Sequence, residues 1–232
     1  MEEIDMLEIL NLDYEILSDK IINNFNLKVK PGKIVTLFGP SGCGKTTILR
    51  LISEIEIPKR GKIINSFKKT SYLFQENRLL EWLSAYKNIA LVAKNEAEIL
   101  PMLKHVGLSQ KDSLKYPDEL SGGMRARVSF VRAMLSEPDL LLLDEPFSGL
   151  DTDMREILIN LVLERVSKGM SVVLVTHDRF EAVKMSDEIY FLTQKGMGVK
   201  RILSLDINQH KRDNAYIQHI IDDGFNGEVY YD

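Results

Sequence analysis

Eight consecutive residues, Gly39-Pro40-Ser41-Gly42-Cys43-Gly44-Lys45-Thr46, assemble the groups that can hold a chain of phosphates. Glycines let backbone N–H groups approach and surround phosphate oxygens. A helix that starts where the loop ends adds its partial positive charge. Lys45 reaches the β- and γ-phosphates as a point charge. The Thr46 hydroxyl ligates Mg²⁺, and that of Thr47 is in reach of the α-phosphate. Cys43 has no neighbour that would make a catalytic dyad, so it reads as a small loop residue rather than a nucleophile. Gly, four residues, then Gly-Lys-Thr is the P-loop spacing, and its flanks agree with it. The apolar run Ile34–Phe38 enters the loop, and a helical pattern from Lys45 to about Ser53 leaves it.

A second group of chemistry-bearing residues lies far downstream. Leu140-Leu141-Leu142-Leu143 is an apolar run that ends in Asp144-Glu145. A buried parallel strand with carboxylates at its C-terminal end delivers them to the ligand crevice of an open sheet. Asp144 is placed to hold Mg²⁺ through water, and Glu145 to orient or deprotonate an attacking water. Pro146 stops the strand.

These groups need a scaffold, and the rest of the chain reads as one. Strand-length apolar runs at Ile34–Phe38, Leu140–Leu143, Val172–Val175 and Glu188–Leu192 alternate with helical patterns over 121–135, 152–167 and 178–185, the signature of a parallel α/β sheet. Ahead of the loop, Met6–Asn11 reads as a strand. Phe25, Leu27 and Val29 alternate with polar residues, as a strand with one wet face does. After Gly61, Lys62–Asn65 and Thr70–Phe74 read as further strands. From about Glu76 to Leu120 the pattern is helical and mixed, with Pro101 and Pro117 as punctuation, and a short amphipathic helix is expected over Gln209–Asp223. The fold class expected is α/β: a P-loop NTPase core of mainly parallel sheet, an N-terminal antiparallel β part and an inserted α-helical subdomain. Residues 1–75 and 120–205 form the nucleotide-binding core, 76–119 the helical insertion and 206–232 a tail.

The 232 residues suffice for one such domain with a large core. The formal net charge of −4 lacks the basic footprint of a nucleic-acid binder. Cys43 is the one cysteine, so no intrachain disulfide is possible. Met1-Glu2-Glu3-Ile4-Asp5 has neither a basic nor a long apolar segment and reads as no signal peptide. No apolar run nears the ~18–20 residues that span a bilayer. A cytoplasmic home is expected, with any membrane association made through a partner.

Four further motifs fall in order around these two. Gln75 ends the strand before the helical insertion, Leu120-Ser121-Gly122-Gly123-Met124 precedes the second carboxylate strand, Ser148-Gly149-Leu150-Asp151 follows it, and His177 comes after the next strand. With the P-loop and Asp144-Glu145, this order resembles the nucleotide-binding subunits of ABC transporters over roughly residues 6–205. The resemblance implies an ATPase that uses ATP and Mg²⁺ and works as a head-to-tail homodimer, or paired with a similar subunit. Each ATP would lie between one subunit's P-loop and the other's Ser121-Gly122-Gly123 segment. It implies that His177 contacts the γ-phosphate, that Gln75 senses Mg²⁺ and the attacking water, and that Asp151 crosses the dimer interface. An aromatic near the start stacks on adenine in this family; Tyr14 is the candidate. The residues themselves agree in one respect. Ser121 reads as a helix N-cap, with Gly122 and Gly123 leaving that helix end uncovered as an anion site. His105, His210 and His219 match no motif and read as surface residues.

Met124, Arg125 and Arg127, with Phe74-Gln75-Glu76-Asn77-Arg78-Leu79-Leu80-Glu81-Trp82, resemble the nitrate/sulfonate/taurine branch of ABC importers. That branch often has Leu-Pro-Trp, where Glu81 here replaces the proline. Glu54 also departs from the small residue common there, and the stretch Gly61–Thr70 is short. The expected role is an importer motor for a small anionic or nitrogen- or sulfur-containing solute. It would sit on the cytoplasmic face of the membrane, bound to an integral permease and served indirectly by a solute-binding protein. An exporter motor and a soluble ATPase of a protein-assembly system are the alternatives. A DNA-repair or chromosome ATPase would need a long coiled-coil insertion, and no sustained heptads occur. Trp82 has two readings, a contact for a membrane partner's helix or a core residue of the helical insertion.

Overall fold

The computed structural model describes residues 6–17, 19–194, 196 and 198–225. The signal-peptide reading of Met1–Asp5 and the end of the tail, 226–232, lie outside the described residues. The chain opens with long antiparallel strands β1 (Leu7–Ile16) and β2 (Asp19–Val29). It continues through β3 (Ile34–Phe38), α1 (Lys45–Ile52), β4 (Arg60–Asn65) and β5 (Thr70–Leu73). Four helices follow: α2 (Ala85–Ala90), α3 (Ile99–His105), α4 (Gln110–Ser113) and α5 (Gly122–Leu135). Then come β6 (Leu140–Asp144), α6 (Thr152–Ser167), β7 (Ser171–Val175), α7 (Arg179–Met185), β8 (Glu188–Leu192), β9 (Val199–Ser204) and α8 (Asn214–Gly224).

Two sheets result. One is antiparallel, in the order β2-β1-β4; the other runs β5-β6-β7-β3-β8-β9 and is parallel except at β9. The central strands β3, β6 and β7 are buried at every residue, which is why their sequences are apolar without alternation. Their side chains still divide by the period-two rule. Leu141, Leu143, Val172 and Leu174 face a core shared with α5 and α6, while Leu140, Leu142, Val173 and Val175 face one shared with α1 and the antiparallel sheet. Burying each such leucine contributes about 1.5–3 kcal/mol, so register is strongly specified. That register matters for function. Val175 pairs with Leu37 on one side and Asp144 on the other, and Leu73 pairs with Leu143. Four parallel strands therefore end together, and the residues that follow them must emerge at one edge.

The structure departs from the sequence reading in four places. β1 runs on to Ile16 past a register shift at Asn11, whose φ of 50° lets the strand bend and continue. Pro101 does not punctuate; it lies in the first turn of α3, where its missing N–H would have had no helical partner. β9 was not anticipated, because its inward positions include Arg201, whose guanidinium lies 3.8 Å from the ring centre of Phe191, while apolar Ile202 faces out. The expected helix over Gln209–Asp223 is two pieces, a 3-10 turn at Gln209–Lys211 and then α8. Between them Arg212 is buried and donates to the carbonyls of Ile207, Val183 and Ser186, which a continuous helix would not allow.

Candidate nucleotide site

The loop between β3 and α1 is closed by its own backbone and by Lys45. The Cys43 N–H donates to the Pro40 carbonyl at 3.3 Å, and the Lys45 ammonium, 7% exposed, donates to the carbonyls of Gly39 (2.7 Å) and Pro40 (2.8 Å). Its charge is thereby held over the loop. Gly39 must stay glycine for space: a Cβ there would lie 3.0 Å from Leu192 Cβ and 3.3 Å from Cys43 Sγ. Gly44 must stay glycine for conformation, with φ at 111°. Gly44 is also the N-cap of α1 and brings no side-chain cap, so no side chain competes for the first N–H groups of that helix. Ser41 and Gly42 are exposed, Thr46 and Thr47 half-buried, and Cys43 buried, with its thiol pushed up by that burial.

Beside the loop, the Thr46 hydroxyl donates to Asp144 Oδ1 at 3.1 Å, across 98 residues of sequence. Asp144 is 2% exposed, and burial raises its carboxyl above the usual range, with Glu145 adding in the same direction. A buried carboxylate of this kind is short of positive charge. Its donor set, a hydroxyl and a carboxylate oxygen, is of the hard-oxygen type that suits Mg²⁺, which is generally held by one or two carboxylates together with substrate phosphates. The residues therefore fit that ion.

Glu145 is the next residue, and its backbone is unusual: φ is 48°, a left-handed conformation that costs a non-glycine residue of order 1 kcal/mol or more. The strain is held by the Glu145 N–H donating to Val175 at 2.9 Å and by Ser148 donating to the Glu145 carbonyl at 3.3 Å. The turn leaves the carboxylate flanked on both sides. His177 Nδ1 lies 3.2 Å from Oε1, and the Gln75 amide donates a long bond of 3.5 Å to Oε2. His177 and Gln75 come from the ends of different strands, β7 and β5, and His177 keeps 52% of its side chain open to solvent.

Known proteins resemble this chain in sequence and fold. The family model for ABC transporters matches residues 22–148. The chain is 39% identical to an aliphatic sulfonates import ATP-binding protein of Rhodococcus jostii, covering 82% of this chain and 80% of the relative. It is 34% identical to a sulfate/thiosulfate import ATP-binding protein of Neisseria meningitidis, covering 95% of this chain and 68% of that one. Among solved structures it resembles an ATP-binding cassette in a dimeric post-hydrolysis state bound to ADP and Pi, with a TM-score of 0.77 at 26% identity, over 87% of this chain and all of that chain. It also resembles an ATP-binding subunit of an ABC transporter, with a TM-score of 0.79 at 25% identity, over 94% of this chain and 99% of that chain. The chain belongs to the ABC transporter family. Its fold is that of an ABC ATPase cassette, and it is an ATP-binding ATPase.

Not all of the sequence-selected residues of this ABC ATPase converge. Lys45, Thr46, Asp144, Glu145, Gln75 and His177 meet at the shared edge of the sheet. Ser121 is spent locally: it is the N-cap of α5, accepting from Met124 N at 3.3 Å. A Cβ on Gly122 or Gly123 would meet nothing within 4 Å, so that helix end is open. Asp151 likewise caps α6, accepting from Met154 N at 2.9 Å. Tyr14 lies on β1 opposite Ile22, and its hydroxyl donates to Glu56 at 2.8 Å, beyond the C-terminal end of α1 while the loop is at the N-terminal end. Trp82 is 71% exposed, which removes its reading as a core residue. His105, His210 and His219 are exposed, as expected.

Sequence reasoning missed one residue of the ABC ATPase site. The Tyr72 hydroxyl donates to Asp144 Oδ2 at 3.1 Å, so the carboxylate presents Oδ1 to Thr46. Burial, and then the neighbouring Asp144 carboxylate, push that phenol well above its ordinary range, so it stays a donor. The Tyr72 ring stacks on Phe74 at 3.9 Å, and the Arg78 guanidinium covers Phe74 at 4.0 Å. The available signal was the parallel register, which puts Tyr72 opposite Leu142, two residues before Asp144.

Proposed function

We propose that this ABC ATPase is the motor subunit of an importer for a small anionic or nitrogen- or sulfur-containing solute, of the nitrate, sulfonate or taurine kind. The observation that carries the hydrolytic part is Glu145, strained into position with His177 and Gln75 on its two oxygens. The names of the relatives, for sulfonate and sulfate import, support the transport part.

In this reading the loop from Gly39 to Thr47 wraps the phosphates, and Lys45 exchanges its two loop carbonyls for phosphate oxygens. Thr46, Asp144 and Gln75 would hold Mg²⁺, which when bound neutralises charge on the β- and γ-phosphates. Glu145 orients and deprotonates the attacking water. A general base of this kind contributes ~10²–10⁴-fold. His177 faces Glu145 through Nδ1, which leaves Nε2 for the γ-phosphate. The open end of α5 is the second half of the clamp, offered by Ser121, Gly122 and Gly123 to the phosphate of another copy, with Asp151 at the seam. Closure of two copies completes the site as a lid does.

The partner is a permease that spans the membrane, with the subunit held at its cytoplasmic face and a solute-binding protein beyond it. Among the described residues no helix is long and apolar enough to cross a membrane. Trp82, with Leu114 (68% exposed) and Tyr116 (46%), is the apolar surface we assign to that permease. Ala85 donates to the Lys115 carbonyl at 2.8 Å, which ties the two segments together.

Tagging the protein in its own cell, solubilising the membranes gently and identifying what co-purifies tests the reading. A multi-span membrane protein beside a solute-binding protein supports an importer. A membrane protein with no binding protein points to an exporter, and a soluble complex to an assembly ATPase; either would replace the import reading while leaving the ATPase chemistry intact.

A further inference from the structure

The H-bonded turn around His177 is anchored from an unexpected direction. Thr176, just before His177, donates its hydroxyl to Glu181 Oε2 at 2.5 Å and accepts from the Asp178 N–H at 3.1 Å. Asp178, just after it, caps α7 by accepting from Glu181 N at 3.0 Å, and its other oxygen accepts from Arg155 Nη1 at 3.0 Å. Arg155 is in the first turn of α6, and its own N–H donates to the Asp151 carbonyl at 3.0 Å. One arginine thus reaches from the segment that begins at Asp151 to the turn that carries His177.

One contact in this network is left open. Arg155 Nε is buried and has no hydrogen-bond partner, and Glu181 Oε1 lies 3.7 Å away. That is an ion-pair distance, and an approach of about 0.8 Å would turn it into a hydrogen bond. A buried N–H left unpaired is costly, so the resting arrangement favours any movement that closes the gap. Glu181 is only 4% exposed, and burial pushes its carboxyl up to about 7. The groups that bear on it are Asp178, which raises it further, and Thr176, Arg155 and His177, which oppose the rise.

We propose that Arg155 and Glu181 are a positioning pair that aims His177: docking of the Asp151 segment against a second copy moves α6, closes the Arg155–Glu181 contact and sets the Thr176–His177–Asp178 turn. The inference deepens the proposed function and rests on its reading of His177 as the γ-phosphate contact. Hydrolysis at one site then depends on how the neighbouring copy holds the segment that starts α6. Neither residue touches substrate.

The test measures kcat, ATP affinity and melting temperature of the full chain from pH 6 to 8.5, with Mg-ATP as substrate, for Glu181→Gln, Arg155→Lys and His177→Ala. The sign is fixed by linkage. A buried carboxyl raised from 4.5 to about 7 contributes stability that is present at low pH and lost as pH rises through about 7. Glu181→Gln should therefore melt no lower than the parent at pH 8. Its kcat at pH 8 is expected to fall on the order of tenfold, as misaimed groups do. ATP affinity should stay within about twofold, and the rise in kcat through neutral pH should flatten. Arg155→Lys, which keeps the charge and loses the planar fork, should lower kcat similarly. Parental kcat and pH profile in both variants, with His177→Ala inactive, would overturn this inference alone. Parental turnover in His177→Ala would overturn the reading of the site beneath it. A melting temperature that drops with kcat would make the pair a structural brace and also overturn the proposal.

Discussion

The two helix N-termini that the sequence marks for phosphate, those of α1 and α5, are built differently. At α1 the cap is Gly44 with no side chain, a buried ammonium sits over the loop, and a hydroxyl and a carboxylate stand ready beside it. At α5 the cap is Ser121, which accepts from Met124, followed by two glycines with open space around them. The first end has its own cation and its own metal-type donors. The second has open N–H groups and room, while the nearby guanidiniums of Arg125 and Arg127 are spent on the carbonyls of Pro117, Leu120, Gly123 and Val106. A complete phosphate site needs charge as well as donors, so the second is half a site, and the difference between the ends is the physical argument for a dimer in which each copy supplies what the other lacks.

Substitutions at the two ends should break this comparison in different ways. The largest effect is expected for Glu145→Gln on the α1 side: turnover falls ~10²–10⁴-fold, measured as phosphate release, while ATP still binds and the protein runs as an ATP-held dimer in light scattering. Gly123→Asp places a like charge at the open end of α5. It should reduce turnover ~10²–10³-fold, the usual worth of one lost oxyanion donor, with ATP affinity of the single copy unchanged. Lys45→Ala should instead weaken ATP binding roughly 10–100-fold, the scale of a charged hydrogen bond lost, as read by titration with a fluorescent nucleotide. Tyr14 is sharpened by a pair: if its ring stacks on adenine, Tyr14→Ala loses about 1–3 kcal/mol of ATP binding and Tyr14→Phe loses none. Should Tyr14→Phe weaken binding as much, the Glu56 contact matters and stacking does not. The smallest effect is expected for Tyr72→Phe. Loss of a hydroxyl on Asp144 is worth about 1 kcal/mol, and it should appear as weaker Mg²⁺ enhancement of nucleotide affinity, with affinity in chelator unchanged.

The same comparison shows what a sequence can carry. The α1 end was legible because loop, strand and helix are contiguous, and because β3, β6 and β7, buried on both faces, write themselves as unbroken apolar runs. The convergence of Gln75, Glu145 and His177 followed from parallel strands ending in register. What stayed hidden depends on tertiary pairing. Tyr72 reads as one more strand aromatic until Asp144 is placed opposite it, and Arg155 and Glu181 read as helix-surface charges until α6 and α7 are brought together. β9 was masked by an arginine on its inner face, and the split before α8 by an arginine that fills the gap.

The composite site is tested most directly by mixing the two defects. Lys45→Ala chains lack a working loop but keep an intact α5 end, and Gly123→Asp chains the reverse. Assayed at ATP concentrations well below the weakened affinity of the Lys45→Ala loop, each alone should hydrolyse ATP far more slowly than the parent. In a head-to-tail pair of one of each, a single site joins the sound loop to the sound helix end, so the mixture should regain a substantial fraction of parental turnover, rising with concentration as mixed dimers form. If the mixture stays as inactive as its components while mixed dimers are present, the two ends do not share one ATP, and the reading of α5 as the missing half of the α1 site is wrong.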